Sequence, residues 1–441
     1  MKTPICDFVR DYRQGGWVRF HMPGHKGKPF LGMEAMDLTE IAGADELYHP
    51  EGIIAESEGN ASALFGSRST CYGTEGSSQC IRAMLYLAAM RTGEKPLILA
   101  ARNVHKAFVY GAALLDLEVR WLYPKETDSL CRCSISPGQL EKALQDAPRP
   151  VSGVYVTSPD YLGGMEDVKA LAEVCHRWGT ILMVDNAHGA FLHFLDTPMH
   201  PLDLGADLCC DSAHKTLPVL TGGAYLHVGR NCPEVGDPKR AMEIFGSTSP
   251  SYLILQSLDL ANRYLLEDFP GDLRKTCNQV AIIREKLREN RWHSENADPM
   301  RITLNARESG WNGTELANRL RSFRIECEYA DPEYVVLMAA PRNPAGDFAR
   351  LAEALGENTR KCLPAPQLPR VRPRQGVSIR TALLSAHGTV PLREADGRIC
   401  GAPTVSCPPA IPVAVSGERI DKDCIAVMEH YGIQTAEVLK L

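Results

Sequence analysis

The chain has 441 residues, 44% hydrophobic and 23% charged, enough for two or three domains with a sizeable buried core. Its net charge of −6 is spread without long runs of either sign, which argues against a nucleic-acid or anionic-membrane surface. The fifteen cysteines are scattered, often in apolar runs as at Cys175, Cys209, Cys210 and Cys400, and lack paired zinc spacing; free thiols in a reduced compartment and no metal site are expected.

From the N-terminus, MKTPICDFVRDYRQGG has early acids and no apolar signal core, and no later stretch is long and apolar enough to span a membrane, so a cytoplasmic protein is expected. Gly73-Thr74-Glu75-Gly76-Ser77-Ser78 opens a helix predicted over Ser77–Arg91. Small residues at a helix N-terminus, with free N–H groups, suit an anion such as a phosphate. A strand at Leu97–Ala101 leads to Arg102-Asn-Val-His105-Lys106, which puts an imidazole at the mouth of a sheet. Strands follow at Val119–Tyr123, Val151–Thr157, Ile181–Asp185, Leu208–Cys210 and Ala224–Val228, with helices at Ser136–Gln145 and Asp167–Trp178. This alternation predicts βαβ units, a mostly parallel sheet, and a site at the carboxyl ends of its strands.

After a helical stretch at 251–292 comes a smaller α/β unit. Its strands are Arg301–Asn305 and Tyr334–Ala339, and its helices are Gly313–Phe323, with Thr314 as cap, and Gly346–Leu355. The segment LPAPQLPRVRPR at 363–374 reads as a linker or extended arm. The expected organisation is an N-terminal segment at 1–50, a large domain at 51–292 and a smaller C-terminal part at 293–441.

Two strand ends carry the chemistry. Val184-Asp185-Asn-Ala187-His-Gly places a carboxylate and then a small residue after an apolar strand, and Asp211-Ser212-Ala-His214-Lys215-Thr-Leu-Pro places a lysine after the next. Pyridoxal phosphate enzymes need this combination: the lysine forms a Schiff base and the carboxylate keeps the pyridine nitrogen protonated. In this reading Ala187 lies under the ring and His105 stacks on its other face.

The chain resembles the ornithine/lysine/arginine decarboxylase family of fold type I pyridoxal phosphate enzymes, in particular its shorter bacterial members without an N-terminal regulatory domain. The resemblance rests on Phe20-His-Met-Pro-Gly-His-Lys-Gly27, Asp37-Leu-Thr-Glu40, Asp45-Glu-Leu-Tyr-His-Pro50, Gly73–Ser78, Arg102–Lys106, Thr157–Tyr161, Val184–Gly189, Ser212–Thr216, Ser247–Tyr252, Gly397–Cys400 and Pro408–Pro412, in that order. It implies a large domain of the aspartate aminotransferase type with a smaller C-terminal α/β domain, pyridoxal 5'-phosphate as cofactor, a small-molecule amino-acid substrate, and a homodimer or higher homo-oligomer with shared active sites. By matched position, Thr74, Gly76 and Ser77 hold the phosphate with Ser212 and His214. Asp185 pairs with the ring nitrogen, and Ser247 and Thr248 reach the partner's phosphate, with His21–Lys26 near the interface. The implied reaction is decarboxylation of an amino acid, with arginine, lysine or ornithine first in line. The departures concern the substrate: alanine at 402 replaces the glutamate expected there, Cys407 a tyrosine, Ala410 a glycine and Asn186 a glutamate. Loss of the acid at 402 leaves open another reaction of the same cofactor on a modified amino acid, or a regulatory paralogue.

Overall fold

A computed structural model describes residues 1–92, 95–125, 129–295, 298–364, 366–403 and 409–440. Twelve strands follow in chain order: β1 (Ser69–Gly73), β2 (Leu97–Ala101), β3 (Glu118–Leu122), β4 (Gly153–Thr157), β5 (Leu182–Asp185), β6 (Leu208–Asp211), β7 (Ala224–Val228), β8 (Arg301–Asn305), β9 (Tyr329–Ala330), β10 (Tyr334–Met338), β11 (His387–Pro391) and β12 (Thr435–Leu439). The chain forms two compact units, one of Met1–Gly93, Leu140–Ser158 and Asp167–Leu273, the other of Glu94–Gln139, Pro159–Glu166 and Arg274–Leu441.

In the first unit the strands run in the order β1-β7-β6-β5-β4. β4, β5 and β6 are parallel, whereas β7 is antiparallel to both β6 and β1. The β5 and β6 residues, LMVD and LCCD, are all buried, and a strand covered on both faces reads as a continuous apolar run. Each run ends in an aspartate, Asp185 and Asp211. Asp167 caps the helix Val168–Arg177 by accepting from Ala170 N, which fixes the crossover from β4 to β5.

The second unit holds the parallel pair β2–β3, joined by the helix Lys106–Leu114. It also contains an antiparallel sheet β8-β10-β9 whose core joins Ile302, Leu304 and Val335 to Leu316 and Leu320 of the helix Gly313–Ser322 and Phe348 and Leu351 of the helix Ala345–Leu355. A third small core, Val438 and Ala436 against Cys424, Val427 and Met428 of the helix Lys422–His430, lies under β11–β12.

The expected strands are present, with bounds that match or differ by at most two residues at an end. The cap of the helix at 313 differs from expectation. Asn312 and not Thr314 is the capping residue, its Oδ1 accepting from Thr314 N at 2.9 Å, because the proline at 332 and the β10 start hold Gly313 already inside the helix. The Arg- and Pro-rich segment is coil throughout its described residues. No described helix is long and apolar enough to cross a membrane, and all fourteen described cysteines are free thiols.

Candidate active site

β6 passes directly into a short turn of helix, Ala213–Thr216, which carries Lys215. Lys215 Nζ lies 2.6 Å from His188 Nε2, and His188 is buried. At that separation the two nitrogens share a hydrogen bond, one donating and the other accepting. His188 follows Ala187 by one residue, and Ala187 N donates to Asp185 Oδ1 at 3.2 Å.

Asp185 closes β5 and is 3% exposed. Its Oδ2 accepts from Tyr155 OH at 3.0 Å and its Oδ1 faces Cys210 Sγ at 3.6 Å. Burial, and then the Asp185 charge, push the Tyr155 hydroxyl well above its ordinary pKa, so it stays protonated and keeps donating. One face of the carboxylate is thereby locked by its neighbours.

The expected anion cradle draws on two distant segments. Gly76 takes φ 69°, a left-handed conformation, and its N–H donates to Gly222 O at 2.8 Å just before the fourteen-residue helix Ser77–Met90 begins. A Cβ on Gly222 would come within 2.8 Å of Thr74 O, so the loop closes only with glycine there. Ser212 Oγ donates to Ser77 Oγ at 2.7 Å, which sets two hydroxyls at the positive end of a helix. His214 donates from Nδ1 to Gly223 O at 3.0 Å, fixing its tautomer with Nε2 as the remaining acceptor.

Of the residues singled out in the sequence, the first unit therefore brings together Ser77 with Ser212 and Asp185 with Ala187, and sets Thr74 and Gly76 against the 222–223 turn. Ser247 and Thr248 sit on an exposed loop, where Ser247 Oγ accepts from Ser249 N at 3.1 Å. His105 belongs to the second unit, where it caps the helix Lys106–Leu114 through Ala107 N at 3.1 Å. Ala410 is buried at φ 57° and its carbonyl accepts from Lys106 N at 2.9 Å, so the position at which a glycine was expected is one of left-handed backbone. Cys407 falls at 404–408, outside the described residues. Sequence reasoning missed Tyr155 and His188 as site residues. His188 lay in plain view within the Asp185 motif; Tyr155 had no signal, since only the β4–β5 pairing sets it beside Asp185.

A lysine, a locked carboxylate and a helix-end hydroxyl pair at adjacent strand ends are the furniture of an α/β enzyme of the aspartate aminotransferase type. The family described as Orn/Lys/Arg decarboxylase, major domain, matches residues 3–315. The chain is 28% identical to an arginine decarboxylase of Bacillus subtilis (strain 168) over 96% of this chain and 92% of that protein. It superposes on the lysine decarboxylase LdcF of Francisella novicida with a TM-score of 0.82 at 17% identity, covering 99% of this chain and 81% of the other. On lysine decarboxylase A of Pseudomonas aeruginosa the TM-score is 0.83 at 16% identity, with 99% and 80% covered. The chain belongs to the Orn/Lys/Arg decarboxylase family and is an amino-acid decarboxylase.

Proposed function

We propose that this enzyme removes CO2 from a basic amino acid, arginine, lysine or ornithine, with pyridoxal 5'-phosphate bound through Lys215. The observation that carries the reading is the 2.7 Å contact of Ser212 Oγ with Ser77 Oγ, because it joins the turn that holds Lys215 to the N-terminus of the helix Ser77–Met90. The residues present fit the group. Thr74, Gly76, Ser77 and Ser212, with His214 holding the turn, take the phosphate; Asp185 takes the ring nitrogen; and Ala187 leaves room for the ring. When bound, the cofactor supplies a carbonyl that captures the substrate amine and a ring that accepts the electron pair left by CO2. Asp185, held by Tyr155 and Ala187 N, would turn its carboxylate to the ring nitrogen. His188, at 2.6 Å from Lys215 Nζ, takes and returns the lysine proton and so sets which of the two is the acid that protonates the product carbon.

The active assembly in this reading is a homodimer, with exposed Ser247 and Thr248 completing the phosphate site of the partner and residues 51–292 forming the cofactor domain. The relatives' names support a cationic substrate, whereas Ala402 supplies no carboxylate for its tip. Glu46, Glu51 and Asp45 are the acids nearest by motif that replace it. A panel of amino acids, followed for CO2, amine and keto acid, tests the reading: amine and CO2 in equal amounts from one basic amino acid are expected, and keto acid without CO2 would sink it. Ala402→Glu should raise kcat/KM for at least one of lysine, ornithine and arginine; no change for any of the three would show that position 402 does not face the substrate tip.

A further inference from the structure

Directly beside this site, in the same unit, lies a buried charge cluster that the reaction described above does not use. Asp211, the last residue of β6 and the neighbour of Ser212, is fully buried, as are His200 and His227. Its Oδ2 accepts from His200 Nε2 and from His227 Nε2, each at 3.1 Å, and its Oδ1 accepts from Asn186 Nδ2 at 2.7 Å. Asn186 in turn is the neighbour of Asp185, and its own N–H donates to Cys210 O at 3.0 Å.

A ring nitrogen of His200, the Cys209 Sγ and a carboxylate oxygen of Asp211 have the closeness of a metal site, lying within 4.8 Å of one another. The hydrogen bonds assign them differently. Leu202 N donates to His200 Nδ1 at 3.3 Å, so the proton of a neutral His200 ring sits on Nε2 and points at Asp211. Thr70 Oγ1 contacts His227 Nδ1 at 2.8 Å and leaves Nε2–H of that ring, too, for Asp211. Burial lowers the His227 pKa, which favours its neutral form. For Asp211 burial alone would raise the pKa, but the two imidazoles hold it well below the usual carboxylate range. Phe65 packs against His193, His200 and His227, with His193 itself paired to Asp203, and closes the cluster from the side of the helix Ile53–Phe65. The buried thiols of Cys209 and Cys210 are pushed well up by burial and then by Asp211 and Asp185 together, so both carboxylates act on the same interior.

We propose that Asp211, gripped by His200, His227 and Asn186, is a positioning residue for the cofactor end of the sheet: it fixes the ends of β5 and β6 from which Asp185 and Ser212 project, and it adds a second permanent negative charge behind Asp185. This rests on the cofactor reading above. Asp211→Asn keeps the shape and removes the charge. The variant is expected to bind pyridoxal phosphate, with kcat lowered about tenfold and KM changed less than about threefold, since the loss falls on the step and not on binding. The pH at which the visible band of the bound cofactor changes should move down by about one unit, because a negative charge that favoured its protonated form is gone. Asn186→Ala, which cuts the link and keeps the charge, is expected to lower kcat with a smaller shift of that pH. Wild-type kcat and an unshifted band in Asp211→Asn would overturn the proposal; if that variant does not fold, wild-type kcat in Asn186→Ala does so. Wild-type protein that shows no visible band with pyridoxal phosphate would instead defeat the cofactor reading itself and this one with it.

Discussion

Asp211 in the first unit and Asp160 and Asp331 in the second are all buried, all accept several hydrogen bonds, and have their pKa values shifted in opposite directions. Asp160 accepts from Leu162 N at 2.9 Å and Gly164 N at 2.8 Å, and Asp331 accepts from Glu333 N at 2.8 Å, Tyr334 N at 2.6 Å and Tyr329 OH at 2.7 Å. Burial nevertheless pushes both up to about 6. Asp211 receives two imidazoles instead of peptide dipoles, and these outweigh a burial at least as complete. The number of donors does not decide which way a buried carboxylate is shifted; the kind of group that donates does. In the first unit imidazoles hold Asp211 down, whereas in the second the turn-forming Asp160 and Asp331 are left with raised values.

The most severe way to test that division is Lys215→Ala, which should lower turnover by at least about 1,000-fold and abolish the visible band while leaving the melting temperature nearly unchanged. Residual turnover near wild type would move the chemistry elsewhere. Next, Asp185→Ala is expected to cost roughly 100-fold or more in kcat with far-UV circular dichroism intact, because the electron sink and not the fold depends on that charge; a variant as active as wild type would mean that another group serves the ring. In the second unit the sign reverses. Arg301 is 1% exposed, pairs with Asp298 at 3.2 Å and donates to Asp160 O at 2.6 Å, so Arg301→Met should destabilise by about 3 kcal/mol in denaturant titrations, with turnover per folded molecule retained.

The smallest effect is on pH. An acid with a folded pKa near 6 and an unfolded pKa of about 4 binds its proton more tightly when folded. Its contribution to stability is full below about pH 4 and is lost as pH rises through about 6. Asp211 runs the other way, contributing above about pH 4 and losing that contribution only as pH falls through its lowered folded pKa. Replacing Asp160 or Asp331 by Asn should therefore flatten the decline in stability between about pH 4 and pH 6, by up to about 2 kcal/mol for each. A decline as steep as in the wild type would show that these acids are ionised in the folded protein.

The sequence by itself determined the strands that carry the site, the strand-end Asp185 and Lys215, and the glycine turn at 73–76, because an apolar run ending in a charged residue and a helix opened by small residues are local patterns. It also pointed to the family, through motifs spread along the whole chain. β1 escaped it because STCYG is short and mixed in polarity, and the helix Ile53–Phe65 because a glycine, an asparagine and two serines blur its period. Only tertiary structure decided that Ser212 meets Ser77, 135 residues away, that Tyr155 locks Asp185, and that His200 and His227 converge on Asp211. Those contacts depend on which strand lies beside which and in what register, and on which side chains burial forces to find a partner. Neither is written in the spacing of residues along one strand.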